Sequence, residues 1–448
     1  MSAVRRPPHK TPAPADAAGS ASPPAHGVRY SLRALRHRDF SVFFWAAVVS
    51  NSGTWLQSVT VPFVLFSLTR SETWVGMATF AQFLPTVLFG PAGGSLADGR
   101  DRRRVLLVTQ SLMAGAAGAM WLYWASGGRR PAVVLGLVAL GGVFGGLNIP
   151  SWQAFVPSLV PRSDLLSAIA LNSLQFNAAR ALGPAIAGLV LARFGPSGSF
   201  ALNAVSFAGV IVALRMVRPR ADAPARSPGP QPKVIAGFVQ ALRYVRGQPG
   251  IAIGLVIALV IGFLGNPVVQ FTVVFAKDVY HVNDLAYGLL TGALGIGAVA
   301  AAPLVSGWDH VVSRSTIVRI AFPLYGLGIA LFGLSRSYAV GFIALIIVGA
   351  GFLSVITATN TAVQIIVADR VRGRVMAARV MSFTLAFSFG GLIQGALAER
   401  FGAHVTVTGA GLALAAAATV LAVHPRWLSR LDDPPDDTPD PAAATTAG

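Results

Sequence analysis

The chain has 448 residues, of which 54% are apolar and 12% charged, with a formal net charge of +18 and no cysteine. Soluble domains carry about 25% charged residues, so an ordinary water-soluble globule is excluded, and the missing cysteine excludes disulfides and cysteine-ligated metals. The positive excess is not a nucleic-acid signal, because the charges lie in short islands between apolar runs of about 20 residues or more, the length that crosses a ~30 Å hydrocarbon core.

In chain order, residues 1–38 are rich in Pro, Ala and basic side chains and read as a disordered cytoplasmic tail, too polar for the core of a signal peptide. Apolar runs follow at 40–68, 73–97, 105–126, 131–157, 165–192 and 198–217. A second set occupies 250–276, 285–306, 316–335, 338–366, 375–399 and 404–424. The runs lack period-two alternation, and barrel strands are only ~10 residues long, so the spans are helices. Between the sets, residues 218–248 form a linker. Its Pro-rich part, 218–235, is too polar to span. In Phe238–Arg246, Phe238, Leu242 and Val245 share one helical face, and Arg243 and Arg246 another. That pattern predicts a short amphipathic helix on the inner membrane surface, the alternative being an ordinary connector. Residues 426–448, with Asp432, Asp433, Asp436, Asp437 and Asp440 among prolines, read as a second disordered tail. The fold class is thus an all-α integral membrane protein of twelve transmembrane helices, in two six-helix bundles at 39–217 and 249–425.

Topology explains the basic residues. With the N-terminus in the cytoplasm, the inner side collects Arg33, Arg36, Arg38, Arg100, Arg102, Arg103, Arg104, Arg162, Arg314, Arg370, Arg372, Arg374, Arg426 and Arg430. The outer side keeps Arg70, Arg129, Arg130, Arg193, Lys277, Arg336 and Arg400. The positive-inside rule then places both termini in the cytoplasm; the inner membrane of a bacterial cell is the expected location.

The halves read as repeats. Aligning Arg193-Phe-Gly195 with Arg400-Phe-Gly402, without gaps, sets Gly183 on Gly390, Gly188 on Gly395 and Gln153 on Asn360. Two parallel six-helix halves around a central cavity is a transporter design.

Two features carry chemistry. The turn Gly94-Ser-Leu-Ala-Asp98-Gly-Arg100-Asp101-Arg102-Arg103-Arg104 joins two spans. Gly94 predicts a close helix approach. Asp98, at a helix end, can meet an arginine or a helix N-terminus and latch an inner gate, while the arginines stay at the lipid headgroups; a solvated turn that only enforces topology is the alternative. The second-half counterpart, 305–314, keeps Asp309 and Arg314 without the arginine triplet. The other feature is Arg180, about halfway along its span, where a charge is costly and by default functional. Ser173, Asn177, Arg180, Pro184 and Gly188 form one helical stripe, expected to face the protein interior. No Asp or Glu lies deep in any span. Either protons use an interfacial acid such as Asp39 or Asp98, or an anionic cargo meets Arg180. Arg180 satisfied by carbonyls and amides is the competing structural reading.

Gly94-x-x-x-Asp98-x-x-Asp101-Arg102-Arg103 resembles the signature between helices two and three of the major facilitator superfamily. Ser50-Asn51-Ser-Gly53-Thr-Trp55, Asn172-Ser-Leu-Gln175-Phe-Asn177 and Arg180-Ala-Leu-Gly183-Pro184-Ala-Ile-Ala-Gly188 resemble its enterobactin-exporter-like branch, some members of which are described as transmembrane secretion effectors. The resemblance spans roughly 30–425. It implies the major facilitator fold and a path lined by helices one, four, seven and ten. On those helices lie Asn51, Trp55, Gln57, Asn148, Gln153, Asn266, Gln270, Asn360 and Gln364, with Asn177 and Arg180 beside them. It also implies that Gly183, Pro184 and Gly188 form an antiporter-like motif, which favours export.

There is no phosphate loop, His-Glu-x-x-His or Gly-x-Ser-x-Gly. The expectation is a non-enzymatic, cofactor-free and metal-free secondary transporter, monomeric in the lipid bilayer. It would exchange protons for small molecules such as siderophores, antibiotics or other metabolites by alternating access. An uptake permease, or a membrane sensor or scaffold, is the alternative.

Overall fold

A computed structural model of the chain describes residues 32–220, 234–265, 267–306 and 312–435. The expectations placed on Asn266, on Asp309 and on residues 1–31, 221–233 and 436–448 lie outside the described residues. Among the described residues the protein is helical and has no strand.

The first half contains α1 (Arg38–Thr69), α2 (Glu72–Gly99), α3 (Arg102–Ala125) and α4 (Pro131–Phe155), then a continuous helix, Leu165–Met216. That helix breaks at Gly195, whose φ of 62° and ψ of −171° only glycine adopts freely, into α5 before it and α6 after it. The linker helix is α7 (Val234–Arg246). The second half contains α8 (Pro249–Val279), α9 (Asp284–Ser306), α10 (Arg314–Leu334), α11 (Tyr338–Ile366), α12 (Asp369–Phe401), α13 (Ala403–Val423) and a short α14 (Pro425–Leu428).

Among the described residues, ten helical segments are long and apolar enough to cross a membrane, and one of them is the α5–α6 pair. The remaining long helix is α1, whose middle carries Ser50, Asn51, Ser52, Thr54, Gln57 and Ser58 and is correspondingly less apolar. Twelve spans result, as the hydrophobic runs predict. Helix α8 is the irregular one. Its α-helical parts, Pro249–Val260 and Val268–Val274, are each followed by a π turn, Ile261–Gly265 and Phe275–Val279.

The repeat register appears in three dimensions. Gly195 and Gly402 both take positive φ. Gly183 seats Trp55 of α1, and its counterpart Gly390 seats the Phe263 backbone of α8. Gly188 meets Gly288 of α9, and its counterpart Gly395 meets Gly76 of α2.

These last pairs join the halves, and they lie at one end. We call the end where α1 starts near and the end where it finishes far. Gly76 and Gly288 lie near the starts of α2 and α9, which begin at the far end; Gly188 and Gly395 lie toward the far ends of α5 and α12. There Arg70 Nη1 pairs with Asp278 Oδ1 at 3.0 Å, Ser71 Oγ donates to Glu399 Oε2 at 2.6 Å, and Tyr287 Oη donates to the Val59 carbonyl at 3.0 Å. Toward the middle, Phe80 stacks edge-on to Phe389 and Phe83 lies against Phe387. Nearer still, a Cβ on Gly90 or Gly94 of α2 would meet nothing within 4 Å. The α5 stripe behaves alike: Pro184 and Gly188 are buried, Asn177 and Ser173 exposed. The halves therefore close at the far end and diverge toward the near end.

Order extends beyond the expected boundaries. Within the expected first tail, Arg33–Arg36 makes a 3-10 turn whose Ala34 is buried and donates its N–H to Ser167 Oγ at 3.0 Å. Within the expected second tail, α14 and the turn Ser429–Asp432 bury Leu428 and Leu431 in the second-half core. The linker helix also differs from expectation. Ala241 and Val245 are buried and Phe238 partly so, while Leu242 is exposed. Tyr244 Oη accepts from the Ala368 N–H at 3.2 Å, and Arg374 Nη1 donates to Gln240 Oε1 at 3.0 Å. The apolar face of α7 thus packs on the start of α12, because protein side chains there cover it in place of lipid.

Candidate functional site

Where the halves begin to part, Arg180 of α5 crosses from the first half to the second. Its guanidinium carbon stands 4.6 Å from the Phe352 ring of α11 and 5.9 Å from the Trp55 ring of α1. Phe352 lies 6.0 Å from Tyr325 of α10, and Trp55 lies 6.3 Å from Phe176. Gly265 and Gly351 make room for Tyr325, since a Cβ on either would strike it. The titratable neighbour facing Arg180 is the Tyr325 phenol, and among the described residues no carboxylate pairs with the guanidinium. Arg180 is half-buried, and ring faces attract a cation by about 0.5–2 kcal/mol each. Two ring faces, one from each half, thus lie over a guanidinium that no carboxylate among the described residues neutralises.

The predicted cavity amides divide into three groups. Asn51 Nδ2 donates to Gln175 Oε1 at 2.8 Å, and Asn172 Oδ1 gathers Trp152 Nε1 at 3.2 Å and Gln175 Nε2 at 3.4 Å. This network lies on the near side of Arg180 and ties α1, α4 and α5 together. Gln153, Asn177 and Gln364 are exposed, and Gln270 is half-buried; Asn177 bonds only its own helix, at Ser173 O, 2.9 Å. Two others bridge helices. Gln57 Oε1 accepts from Asn203 of α6 at 2.5 Å. Asn148 is buried with its oxygen on Thr109 and Gln110 of α3, at 2.9 and 3.3 Å. Asn148 therefore faces away from the passage, because α3 offers it two donors that the passage would not.

The charged turn is corrected in detail. Gly94 makes no close approach; Gly93 does, with a Cβ position only 2.7 Å from Gly146 O of α4. Asp101 caps α3 through the Arg104 N–H at 2.7 Å. Arg103 donates to the carbonyls of Leu214 and Arg215 at 2.5 and 2.7 Å, satisfying the end of α6, and Arg102 reaches Ala154 O at 3.4 Å. These two arginines hold protein carbonyls in place of headgroups. Asp98 is exposed at the near end of α2. In the second half, Arg314 Nε pairs with Asp432 Oδ1 at 3.4 Å, supplied by the segment after α14.

Phe352, Tyr325 and Arg379 escape a reading of the sequence, whereas Gln394 stands out there as an amide deep in an apolar run. Gln394 of α12 donates to Phe263 O and Leu264 O at 2.6 and 3.1 Å, capping carbonyls freed by the π turn of α8. Phe352 and Tyr325 are aromatic residues in apolar runs, with no local mark. Arg379 of α12 is only 6% exposed and donates to Asn360 Oδ1 at 3.0 Å and Thr359 Oγ1 at 3.1 Å. Its place ten residues into a spanning helix is the signal that could have found it.

The transmembrane secretion effector profile matches residues 30–444. The chain is 27% identical over 320 residues to the enterobactin exporter EntS of Citrobacter koseri, covering 70% of this chain and 74% of that protein. It is 25% identical over 397 residues to the multidrug efflux pump Tap of Mycolicibacterium fortuitum, covering 87% and 95%. Among solved structures it resembles a bacterial homologue of the iron transporter ferroportin in an inward-facing state, with a TM-score of 0.66 and 17% identity over 88% of this chain and 99% of that one. A D-xylose–proton symporter matches with a TM-score of 0.66 and 16% identity over 88% and 97%. The fold is that of the major facilitator transporters. With the match running through both halves, this multi-pass membrane protein belongs to the transmembrane secretion effector family of that superfamily.

Proposed function

We propose that the protein is a proton-coupled exporter that carries small, anionic, partly aromatic molecules out of the cytoplasm. The observation that carries this reading is Arg180, unpaired with any carboxylate among the described residues and set among rings from both halves. The near end holds most of the basic turns, so it is the cytoplasmic end with both termini inside, and the divergence of the halves there is an inward-open state. Cargo enters between the halves, its negative group meets Arg180, and its flat apolar part lies against Trp55 and Phe352. Rocking of the halves then opens the far end. Kinship with an enterobactin exporter and a multidrug efflux pump supports export over uptake. Gly183, Pro184 and Gly188 serve as the packing motif of that exporter. The proton is the coupling ion, and the protein works as a monomer.

Inverted membrane vesicles from an efflux-deficient host test this. An imposed inside-acid gradient is expected to drive uptake of aromatic carboxylates or sulfonates, with uncoupler abolishing it. Arg180→Gln should remove that uptake and Arg180→Lys retain part of it. Intact uptake of every such anion by a folded Arg180→Gln protein would sink the proposed site; uptake only from right-side-out vesicles would reverse the direction.

A further inference from the structure

We infer that Arg379 and Asn360 form a second anion subsite, on the near side of Arg180 in the opposite half, where cargo loads first. The identity of its occupant rests on the anionic-cargo reading above; the existence of its positive field does not.

Arg379 is buried between α12 and α11. Nη1 donates to Asn360 Oδ1 at 3.0 Å, and Nη2 donates to Thr359 Oγ1 at 3.1 Å and Ile356 O at 3.4 Å. Its Nε, also buried, has no hydrogen-bond partner. No carboxylate among the described residues pairs with it, and every acceptor it has is neutral. A buried, unneutralised guanidinium is expensive, so the question is whether the fold needs it.

The repeat supplies the control. Arg379 aligns with Asn172 in the register that superposes Gly195 on Gly402. Asn172 joins α5 to α4 through Trp152, as Arg379 joins α12 to α11 through Thr359, the register counterpart of Trp152. A neutral amide therefore does the same helix-joining task in the first half. The charge in the second half has no counterpart in packing and is left for function.

Its position suits loading. In the same register Arg180 corresponds to Phe387, two helical turns farther along α12, or about 12 Å at ~1.5 Å per residue. The two guanidiniums thus stand at different depths on opposing walls, Arg379 closer to the open end. Asn360 is half-buried and Gln364, one turn beyond it, is exposed, so Arg379 sits directly behind the wall of the open part. A positive group behind a low-dielectric wall concentrates anions in the space before it. A carboxylate, sulfonate or phenolate passing inward would meet Arg379 and Asn360 before Arg180.

The native chain has no cysteine, which permits a test that needs no knowledge of the cargo. Gln364→Cys in the full-length protein is labelled with anionic methanethiosulfonate ethylsulfonate and with its cationic trimethylammonium analogue. Gln153→Cys, at the counterpart of Asn360, is the first-half reference. Arg379→Gln is expected to lower the anion-to-cation rate ratio at position 364 by roughly five- to tenfold, with a much smaller change at position 153, while Arg379→Lys keeps the ratio. Asn360→Asp, which neutralises the guanidinium without removing it, should lower the ratio as Arg379→Gln does and serves if that variant fails to fold. An unchanged ratio in both neutralised proteins would overturn the subsite, leaving Arg379 a structural pin. An equal fall in Arg379→Lys would overturn it too, by assigning the effect to shape. Failure of Arg180→Gln to affect transport, with these ratios as expected, would remove only the anionic-cargo reading.

Discussion

Gly188 of α5 and Gly288 of α9 meet backbone to backbone across the two halves, and a Cβ built on either would overlap the other's main chain. The counterpart seam repeats this with Gly395 of α12, where a Cβ would lie 3.1 Å from Gly76 Cα. Both seams sit at the far end. Closure of that end therefore depends on four positions without side chains, which lets the helices approach closely enough for dispersion contacts to accumulate.

Gly288→Leu should block this closure. Overpacking of a tight contact costs about 1–3 kcal/mol, enough to shift a two-state balance by roughly 5- to 150-fold. Thr79 is buried against Gly391 in the α2–α12 seam. A Thr79→Cys reporter should therefore react at least several-fold faster with an impermeant maleimide from outside when Gly288→Leu is added. Unchanged labelling in a folded protein would show that the seam tolerates the side chain.

Glu399 holds the same end from the other half. It accepts from Ser71 Oγ at 2.6 Å and from the Thr73 N–H at 3.3 Å, capping the start of α2 in the opposite half. Glu399→Gln loses the charge that favours a helix N-terminus. The same cysteine reporter should show a severalfold rise, smaller than for Gly288→Leu because the group is exposed and screened. Equal rates in the two backgrounds would assign closure to the glycines alone.

Gln394 is 2% exposed, and its amide nitrogen serves two carbonyls of the α8 π turn. Gln394→Leu leaves both carbonyls buried without a donor, at about 1–3 kcal/mol each. A clear fall in the thermal unfolding midpoint of the purified protein is expected. A midpoint within error of the native one would mean that α8 relaxes to regular α-helix once the amide is gone.

The segment after α13 is a structural part of the second half. Leu431→Ala should cost about 2–4 kcal/mol through the cavity it leaves. Asp432→Asn should lower stability as well, by depriving Arg314 of its carboxylate and weakening the acceptor of the Ser315 N–H. Both are read as loss of monodisperse protein on heating. Native-like behaviour of Leu431→Ala would argue that this turn only rests on the bundle.

Much of the site was legible as residue type and little of it as partnership. Arg180 could be read from its depth in an apolar run, because hydrocarbon makes any charge exceptional. Arg379 obeys the same rule, yet its helix starts with Asp369, Arg370, Arg372 and Arg374, and the eye stops at that charged end. Asn148 and Gln57 satisfied the same polar-in-apolar criterion as Asn51, but their donors come from α3 and α6. Which neighbour faces an amide depends on helix rotation, and a period of 3.6 residues in a uniformly apolar helix leaves that rotation unmarked. Leu428 and Leu431 were hidden among aspartates and prolines. Two well-placed apolar side chains suffice to order a short turn when a cleft between helices is ready for them.

The sequence by itself determined the membrane, the twelve spans, the direction of the charge bias and the repeat. These follow from local quantities: run length against bilayer thickness, the cost of charge in hydrocarbon, and glycines at matching intervals. Only the tertiary structure decided which glycines meet, which end closes, and that Phe352 and Tyr325 come from the second half to face Arg180. Those outcomes depend on contacts between residues a hundred or more positions apart, and dispersion and cation–π forces act only over a few ångströms. They exist once the two bundles are packed together and leave no trace in either segment alone.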